Sequence, residues 1–337
     1  MLKDNEIRFR RQMLYLMLLA VVGVFLSSCS EKKPKIYQVG ILGGIEAFSD
    51  IADGFKAKMS ELGYVEGENI FYDMQIANFD QSGLRKVAKK FVDDKVDLIF
   101  VFPTEPSLEA KAATQGTEIP VVFAIAGIEG VNLVKSVRQP GGNITGVRYP
   151  GPDLVVKRFE ILLELAPHIK RLYIPYNPNY PNGPPALEAL RPVAASKGVT
   201  LVTVQVSSVK DIQVAFEKRA KLVDIGMDAI QILPEFLTQT PSGWAAISGF
   251  AKEHKLPLVG SMLSSADTGG VFSYCVDFFE VGEMAAPIAD KILKGIPANT
   301  IAVVTPEAHL RLNYKMIQEL GLNVNEGLLI RADEVIR

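Results

Sequence analysis

The chain has 337 residues, a formal net charge of −2, 48% hydrophobic and 8% aromatic residues, and two cysteines. That length exceeds what one ordinary core needs and suits two lobes. The apolar content excludes a disordered chain, and the near-neutral charge balance carries no basic footprint for nucleic acid.

The first element reads as an export signal. Arg8, Arg10 and Arg11 precede an apolar run from Met13 to Leu26, which closes in Leu26-Ser27-Ser28-Cys29. The run is short for a membrane span and small residues follow it, as in the h-region of a bacterial lipoprotein signal. On this reading residues 1–28 are removed, the thiol of Cys29 takes the lipid and residues 29–35 form a tether. The rest is predicted to be extracytoplasmic, anchored to a bacterial membrane on its periplasmic or cell-surface side. The alternative is an uncleaved anchor helix with an incidental cysteine. Residues 1–28 hold four basic and two acidic groups, so the mature chain of 309 residues is near −4. Cys275 then has no disulfide partner; in the apolar stretch Val271–Val276 it reads as a buried structural thiol.

Strand-like and helix-like runs alternate after the tether. Ile36–Leu42 is an apolar strand ending at Gly43-Gly44. Ser49–Leu62 has helical spacing at Ile51, Phe55, Met59 and Leu62 and stops at Gly63. A strand near Asn69–Ile76, a helix near Gln81–Val92, the strand Val96–Phe102, the helix Thr104–Thr114 and strands at Ile119–Ala124 and Asn143–Arg148 complete the first half. The rhythm restarts after Pro150-Gly151-Pro152. Helices near Leu154–Leu165, Ala186–Lys197, Val209–Val223 and Trp244–His254 alternate with strands Arg171–Tyr176, Thr200–Val206, Ala229–Leu233 and Leu258–Ser261. This β-α-β-α order implies an α/β fold with parallel sheets covered on both faces. A later strand, Gly270–Val276, and the helix Phe279–Leu293 are expected to return to the first lobe, and the tail to the second. The first lobe is then 36–149 with 274–304, and the second 150–273 with 305–337. Repeated crossings make a hinge.

Several segments resemble the bacterial ABC-transporter substrate-binding proteins of the tryptophan/tyrosine type. Glu61-Leu62-Gly63-Tyr64-Val65-Glu66-Gly67-Glu68-Asn69-Ile70 is similar to that family's helix-to-strand turn. Arg138-Gln139-Pro140-Gly141-Gly142-Asn143-Ile144-Thr145-Gly146-Val147 resembles its Pro-Gly-Gly-Asn-x-Thr-Gly stretch, and Tyr176-Asn177-Pro178 a strand-end motif. Asp277-Phe278-Phe279-Glu280-Val281-Gly282 is similar to its Asp-Tyr-Tyr-Asp-Leu-Gly stretch. Leu328 to Ile336 resembles its C-terminal signature. The resemblance spans nearly the whole mature chain. It implies two Rossmann-like lobes of periplasmic-binding-protein type I architecture, closing on a small ligand that is delivered to a membrane permease. A monomer with no cofactor is expected. A module presenting solute to a membrane receptor is the alternative use of the same fold.

Ligands of open α/β sheets bind beyond the carboxyl ends of strands. That rule selects Gly43–Ser49, with Glu46 and Phe48, then Pro103–Ser107 and Ala124–Ile128, and in the second lobe Tyr176–Tyr180, Pro234–Leu237 and Ser261–Ser265. Thr104 reads as a helix N-cap with Ser107 three residues later. This is either an ordinary capped helix or a dock for a ligand carboxylate, which Glu105 opposes if it points inward. Asn177 is either a polar ligand contact or a turn starter. Asp277 is either an N-cap or, as the resemblance implies, the carboxylate facing a ligand ammonium. Glu235 is a second acidic candidate or a solvated loop residue. Phe48, Tyr149 and Phe236 pack on an apolar ligand or in the core. The chain departs from the family in carrying Leu233-Pro234-Glu235 for Pro-Thr-Asp and Ser261-Met262 for Ser-Asp, so Met262 brings an apolar contact. The best guess for the ligand is an aromatic or other apolar amino acid or a related compound.

His168, His254 and His309 lack paired metal-ligand spacing. No Gly-x-Ser-x-Gly elbow occurs, and Gly141-Gly142 with Gly146 precedes a strand, unlike a dinucleotide fingerprint. No catalytic residues and no metal site are expected.

Overall fold

Strands and helices alternate from Tyr37 to the C-terminus in the computed structural model, which describes Met13 and residues 35–337. Cys29 and, Met13 apart, the segments expected to be the signal and the tether up to residue 34 lie outside those residues. Strands β1 (Tyr37–Gly43), β2 (Ile70–Ile76), β3 (Leu98–Phe102), β4 (Val121–Ala126) and β5 (Ile144–Arg148) form a sheet in the order β2-β1-β3-β4-β5. All its pairings are parallel. Helices α1 (Ser49–Glu61), α2 (Gln81–Asp93) and α3 (Thr104–Ala113) connect the first four strands. Every residue of β3 and β4 is buried, as expected where helices cover both faces. Side chains alternate across the sheet. Leu98, Phe100 and Phe102 pack with Ile51, Phe55 and Met59 of α1, while Ile99 and Val101 pack with Leu84 and Phe91 of α2 and Ala110 of α3.

The second lobe begins with α4 (Gly151–Leu165), β6 (Arg171–Tyr176), α5 (Gly183–Ser196), β7 (Thr200–Gln205) and α6 (Val209–Ala220). It continues with β8 (Ala229–Gln231), α7 (Pro241–Glu253), β9 (Leu258–Val259) and β10 (Phe272–Cys275). After α8 (Phe278–Leu293) come β11 (His309–Asn313), α9 (Tyr314–Glu319), α10 (Glu326–Arg331) and β12 (Glu334–Ile336). The sheet order is β12-β11-β10-β9-β8-β6-β7, parallel except for the β10–β11 pair. Helices α4 and α5 bury Phe159, Leu162, Leu187 and Leu190 on one face. Helices α6 and α7 bury Phe216, Ile247 and Phe250 on the other.

One expectation is corrected. The strand at 270–276 does not return to the first lobe with the helix that follows it. β10 pairs with β9 through Phe272 and Val259 and with β11 along its length, and Phe272 lies in the second-lobe core. Only α8 crosses back, entering through Cys275 and Val276, which pack in the first-lobe core. The remaining crossings run from β5 into α4 and from Val304, bridged to Val147, into β11. Arg148 ties this region together: its guanidinium reaches Glu129 at 2.5 Å, Asp153 at 3.3 Å and the Thr305 hydroxyl at 2.8 Å.

Helix α8 lies against α1 with almost no gap. A Cβ added at Gly54 would stand 2.0 Å from the Phe279 carbonyl oxygen, and one at Gly282 would stand 2.1 Å from the Ile51 carbonyl oxygen. Close packing is thus the reason for glycine at the end of the Asp277–Gly282 motif. Gly282→Ala forces the helices apart and should lower stability by about 1–3 kcal/mol, as overpacking does. Urea unfolding measures it; an unchanged midpoint would show that the two helices separate freely.

Candidate functional site

The carboxyl ends of both parallel sheets face one cleft. Its empty space is about 560 Å³, part of it continuous with solvent. From the first lobe come Ile45, Ala47 and Phe48 after β1, Pro103 after β3, Ile125 at the end of β4, Tyr149 after β5 and Phe278 at the start of α8. The second lobe adds Tyr180 and Asn182 after β6, Pro234, Glu235, Phe236 and Gln239 after β8, and Ser261 and Met262 after β9. Ile125 has φ 42° and sits where the β4–β5 register shifts. A β-branched residue in left-handed backbone is strained, and a bulge re-aims a side chain; here the result is an apolar side chain in the cleft wall.

The lobes touch across this cleft. Phe79, itself at φ 54°, places its ring 4.9 Å from Phe236 and 6.5 Å from Tyr180. Thr104 Oγ1 lies 3.2 Å from Asn182 Oδ1 and accepts the Gly127 N–H at 2.9 Å. The Tyr180 hydroxyl faces the Glu105 carboxyl. The arrangement is a closed one.

Phe48, Glu235 and Met262 line the cleft. Phe48 meets Phe278 edge to face at 5.3 Å, a favoured aromatic geometry. Glu235 is 3% exposed, and its two oxygens accept the N–H groups of Leu237 and Thr238, both at 2.9 Å. It is therefore not a solvated loop residue: it caps the short turn that presents Phe236. Burial pushes its pKa up against those hydrogen bonds.

The other five candidates are absent from the wall. Glu46 is exposed, although its neighbours Ile45 and Ala47 line the cleft. Thr104 is the first helical residue, not an N-cap, and its hydroxyl joins Asn182 and Gly127. Ser107 is buried and donates to the Pro103 carbonyl. The helix start is not open to a ligand carboxylate, because Glu105 turns inward there. Burial pushes Glu105 up to about 7, against the lowering effects of its own N–H and the Tyr180 hydroxyl, and its Oε2 has no hydrogen-bond partner among the described residues. Asn177 closes a local turn by accepting the Asn179 N–H at 3.0 Å. Asp277 is an N-cap, its Oδ1 accepting from Phe279 at 2.8 Å and Glu280 at 3.1 Å.

Sequence reasoning did not single out Asn182, Gln239 and Phe278 for the wall, nor Arg158 behind it. Arg158 is fully buried; its Nε donates to the Tyr274 carbonyl at 2.8 Å and its Nη2 to the Tyr149 hydroxyl and the Ser261 carbonyl, both at 3.2 Å. It braces two wall residues against β10. Phe278 was within reach, since it follows Asp277 in the quoted motif; Gln239 carried no signal. Among the described residues no group of three His, Cys, Asp or Glu side chains is placed to hold a metal ion.

Comparison with known proteins agrees with this geometry. The chain is 26% identical to a tyrosine-binding protein of Clostridioides difficile (strain R20291), an alignment covering 96% of this chain and 97% of that one. A crystal structure of a conserved domain protein from Vibrio cholerae superposes with a TM-score of 0.80 at 26% identity, covering 89% of this chain and all of that one. The structure of an ABC domain in complex with L-Trp from Streptococcus pneumoniae superposes with a TM-score of 0.79 at 25% identity, covering 90% of this chain and all of that one. These likenesses show the periplasmic-binding-protein type I fold. The sequence profile of the ABC transporter substrate binding proteins matches residues 39–336, and the chain belongs to that family.

Proposed function

We propose that the chain is a lipid-anchored solute-binding protein of an ABC importer, and that its cleft takes an aromatic or other apolar amino acid or a related compound. The observation that carries the reading is the composition of the wall: Phe48, Tyr149, Tyr180, Phe236, Phe278 and Met262 line the cleft between the lobes. Rings and a thioether suit an apolar solute body, while Asn182, Gln239 and Ser261 offer polar contacts that orient it. The L-Trp bound to the Streptococcus relative and the name of the Clostridioides relative support the same ligand class.

The mechanism is closure. A solute bridging the lobes stabilises the closed state by its differential affinity for that state. The closed form then docks on a permease, with Cys29 holding the protein at the membrane. The protein carries out no chemistry on the solute and uses no cofactor.

A thermal-shift screen of the purified chain against amino acids, nucleosides, sugars and small organic acids tests the ligand class. A compound at a hundred times its Kd stabilises the fold by about 2.7 kcal/mol. Tryptophan, tyrosine or phenylalanine should raise the melting temperature. Shifts with sugars or nucleosides alone would remove the amino-acid assignment.

A further inference from the structure

Glu105 stands at the contact between the lobes, and among the described residues no cation acts on it. It belongs to α3 of the first lobe, while Tyr180, whose hydroxyl faces its carboxyl, belongs to the loop after β6 in the second. The contact continues on both sides: Thr104 joins Asn182, and Phe79 meets Tyr180 and Phe236. Glu105 Oε2 is shielded from solvent and has no hydrogen-bond partner among the described residues. The titratable groups around this contact are Tyr180 itself and, facing Tyr180 from the second and first lobes, Glu235 and Tyr149. None of them is a cation. On α3, Glu109 is held by Arg85 of α2 at 3.2 Å, and Lys111 donates to the Asn132 carbonyl; neither acts on Glu105.

A buried carboxylate with no cation and an unfilled lone pair is costly, and a proton removes the cost. Parting the lobes would withdraw Tyr180 and return the carboxyl to water. We infer that closure of the two lobes takes up a proton on Glu105, so that solute binding by this cleft is favoured at acid pH and weakened at alkaline pH. The inference deepens the closure mechanism proposed above and rests on it.

The sign and size follow from the two states. The closed carboxyl titrates at about 7 and the solvated one near its ordinary 4.5. Between these values opening releases a proton, so the open-to-closed ratio rises about tenfold per pH unit and levels off above 7. From pH 5 to pH 8 the change is on the order of a hundredfold.

The test uses the full chain with nitroxide labels at Lys86 and Glu188, exposed positions on α2 and α5 of opposite lobes, and reads their separation without solute. The expected result is a distance distribution that moves to longer values between pH 5 and pH 8. Glu105→Gln, which keeps the shape and cannot ionise, should hold one distribution at both pH values. A wild-type distribution that ignores pH, or a pH shift that persists in Glu105→Gln, would overturn the inference. Calorimetry with L-tryptophan in buffers of different ionisation enthalpy should show proton uptake on binding in the wild type and none in Glu105→Gln. A chain that closes with acid yet binds neither L-tryptophan nor L-tyrosine would sink the ligand assignment and uphold the proton linkage.

Discussion

Phe55→Ala should lower the stability of the folded chain by about 3–5 kcal/mol, the range for truncating a fully buried phenylalanine. Phe55 is 0% exposed. Its ring stacks on Phe100 of β3 at 4.1 Å and meets Tyr72 of β2 edge-on at 6.3 Å. It shares the core with Val281, Ala285 and Ala289 of α8. Two effects therefore add: lost burial of the ring, and a cavity that rigid neighbours close only in part. The sheet is fixed by parallel pairing on both sides of β3, and α8 already touches α1 through backbone at Gly54 and Gly282, so little collapse is available. Because α8 begins at Phe278 in the cleft wall, the same truncation should loosen the site. Urea unfolding gives the stability change; a loss under about 1 kcal/mol would mean that the lobe repacks around the gap.

Glu105→Gln should act in the opposite direction, and only above a defined pH. The folded wild type holds the Glu105 proton up to about pH 7, while in the unfolded chain the carboxyl titrates near 4.5. In that window the folded state binds the extra proton, so the contribution of this group to stability falls as pH rises and is lowest above 7. The full difference is on the order of 3 kcal/mol. The variant should match the wild type at pH 4 and exceed it at pH 8. Carboxylates held down by hydrogen bonds and cations, such as Glu164, where Asn325 and Arg331 act, have the reverse slope at lower pH, so the quantity to follow is the difference between the two proteins. Equal unfolding free energies at pH 8 would show that Glu105 remains solvated.

The lobes were readable in the sequence to different depths. Strands β3 and β4 are continuous apolar runs because both their faces are covered, and β1 ends at Gly43 as the Gly43-Gly44 pair implies. The rule that ligands lie at the carboxyl ends of strands selected loops that supply most of the cleft wall. Placing β10 failed because an apolar strand carries no label for its sheet: Phe272 belongs to one core and Cys275, three residues later, to the other. Single side chains in loops failed for a related reason. Whether Glu46 or Ala47 meets the cleft depends on the backbone of one 3₁₀ turn, and hydrophobic periodicity says nothing there. Thr104, Ser107, Asn177 and Asp277 are the residue types that serve ligands and backbone alike, and in the closed chain their hydrogen bonds go to backbone groups or to Asn182. The inward turn of Glu105 was visible only as a condition, since its partner Tyr180 is 75 residues away in the other lobe.

The most direct measurement of the central claim is a calorimetric titration of the full-length chain with L-tryptophan and L-tyrosine, run in parallel on the wild type and on Phe236→Ala. Phe236 lines the cleft and meets Phe79 of the opposite lobe, so it serves both the solute and closure. Saturable one-to-one binding that weakens by at least about tenfold in the variant is the predicted result, as for a buried aromatic contact. Binding of equal strength in both proteins would place the solute outside this cleft, and no binding of either amino acid would remove tryptophan and tyrosine from the assigned ligand class.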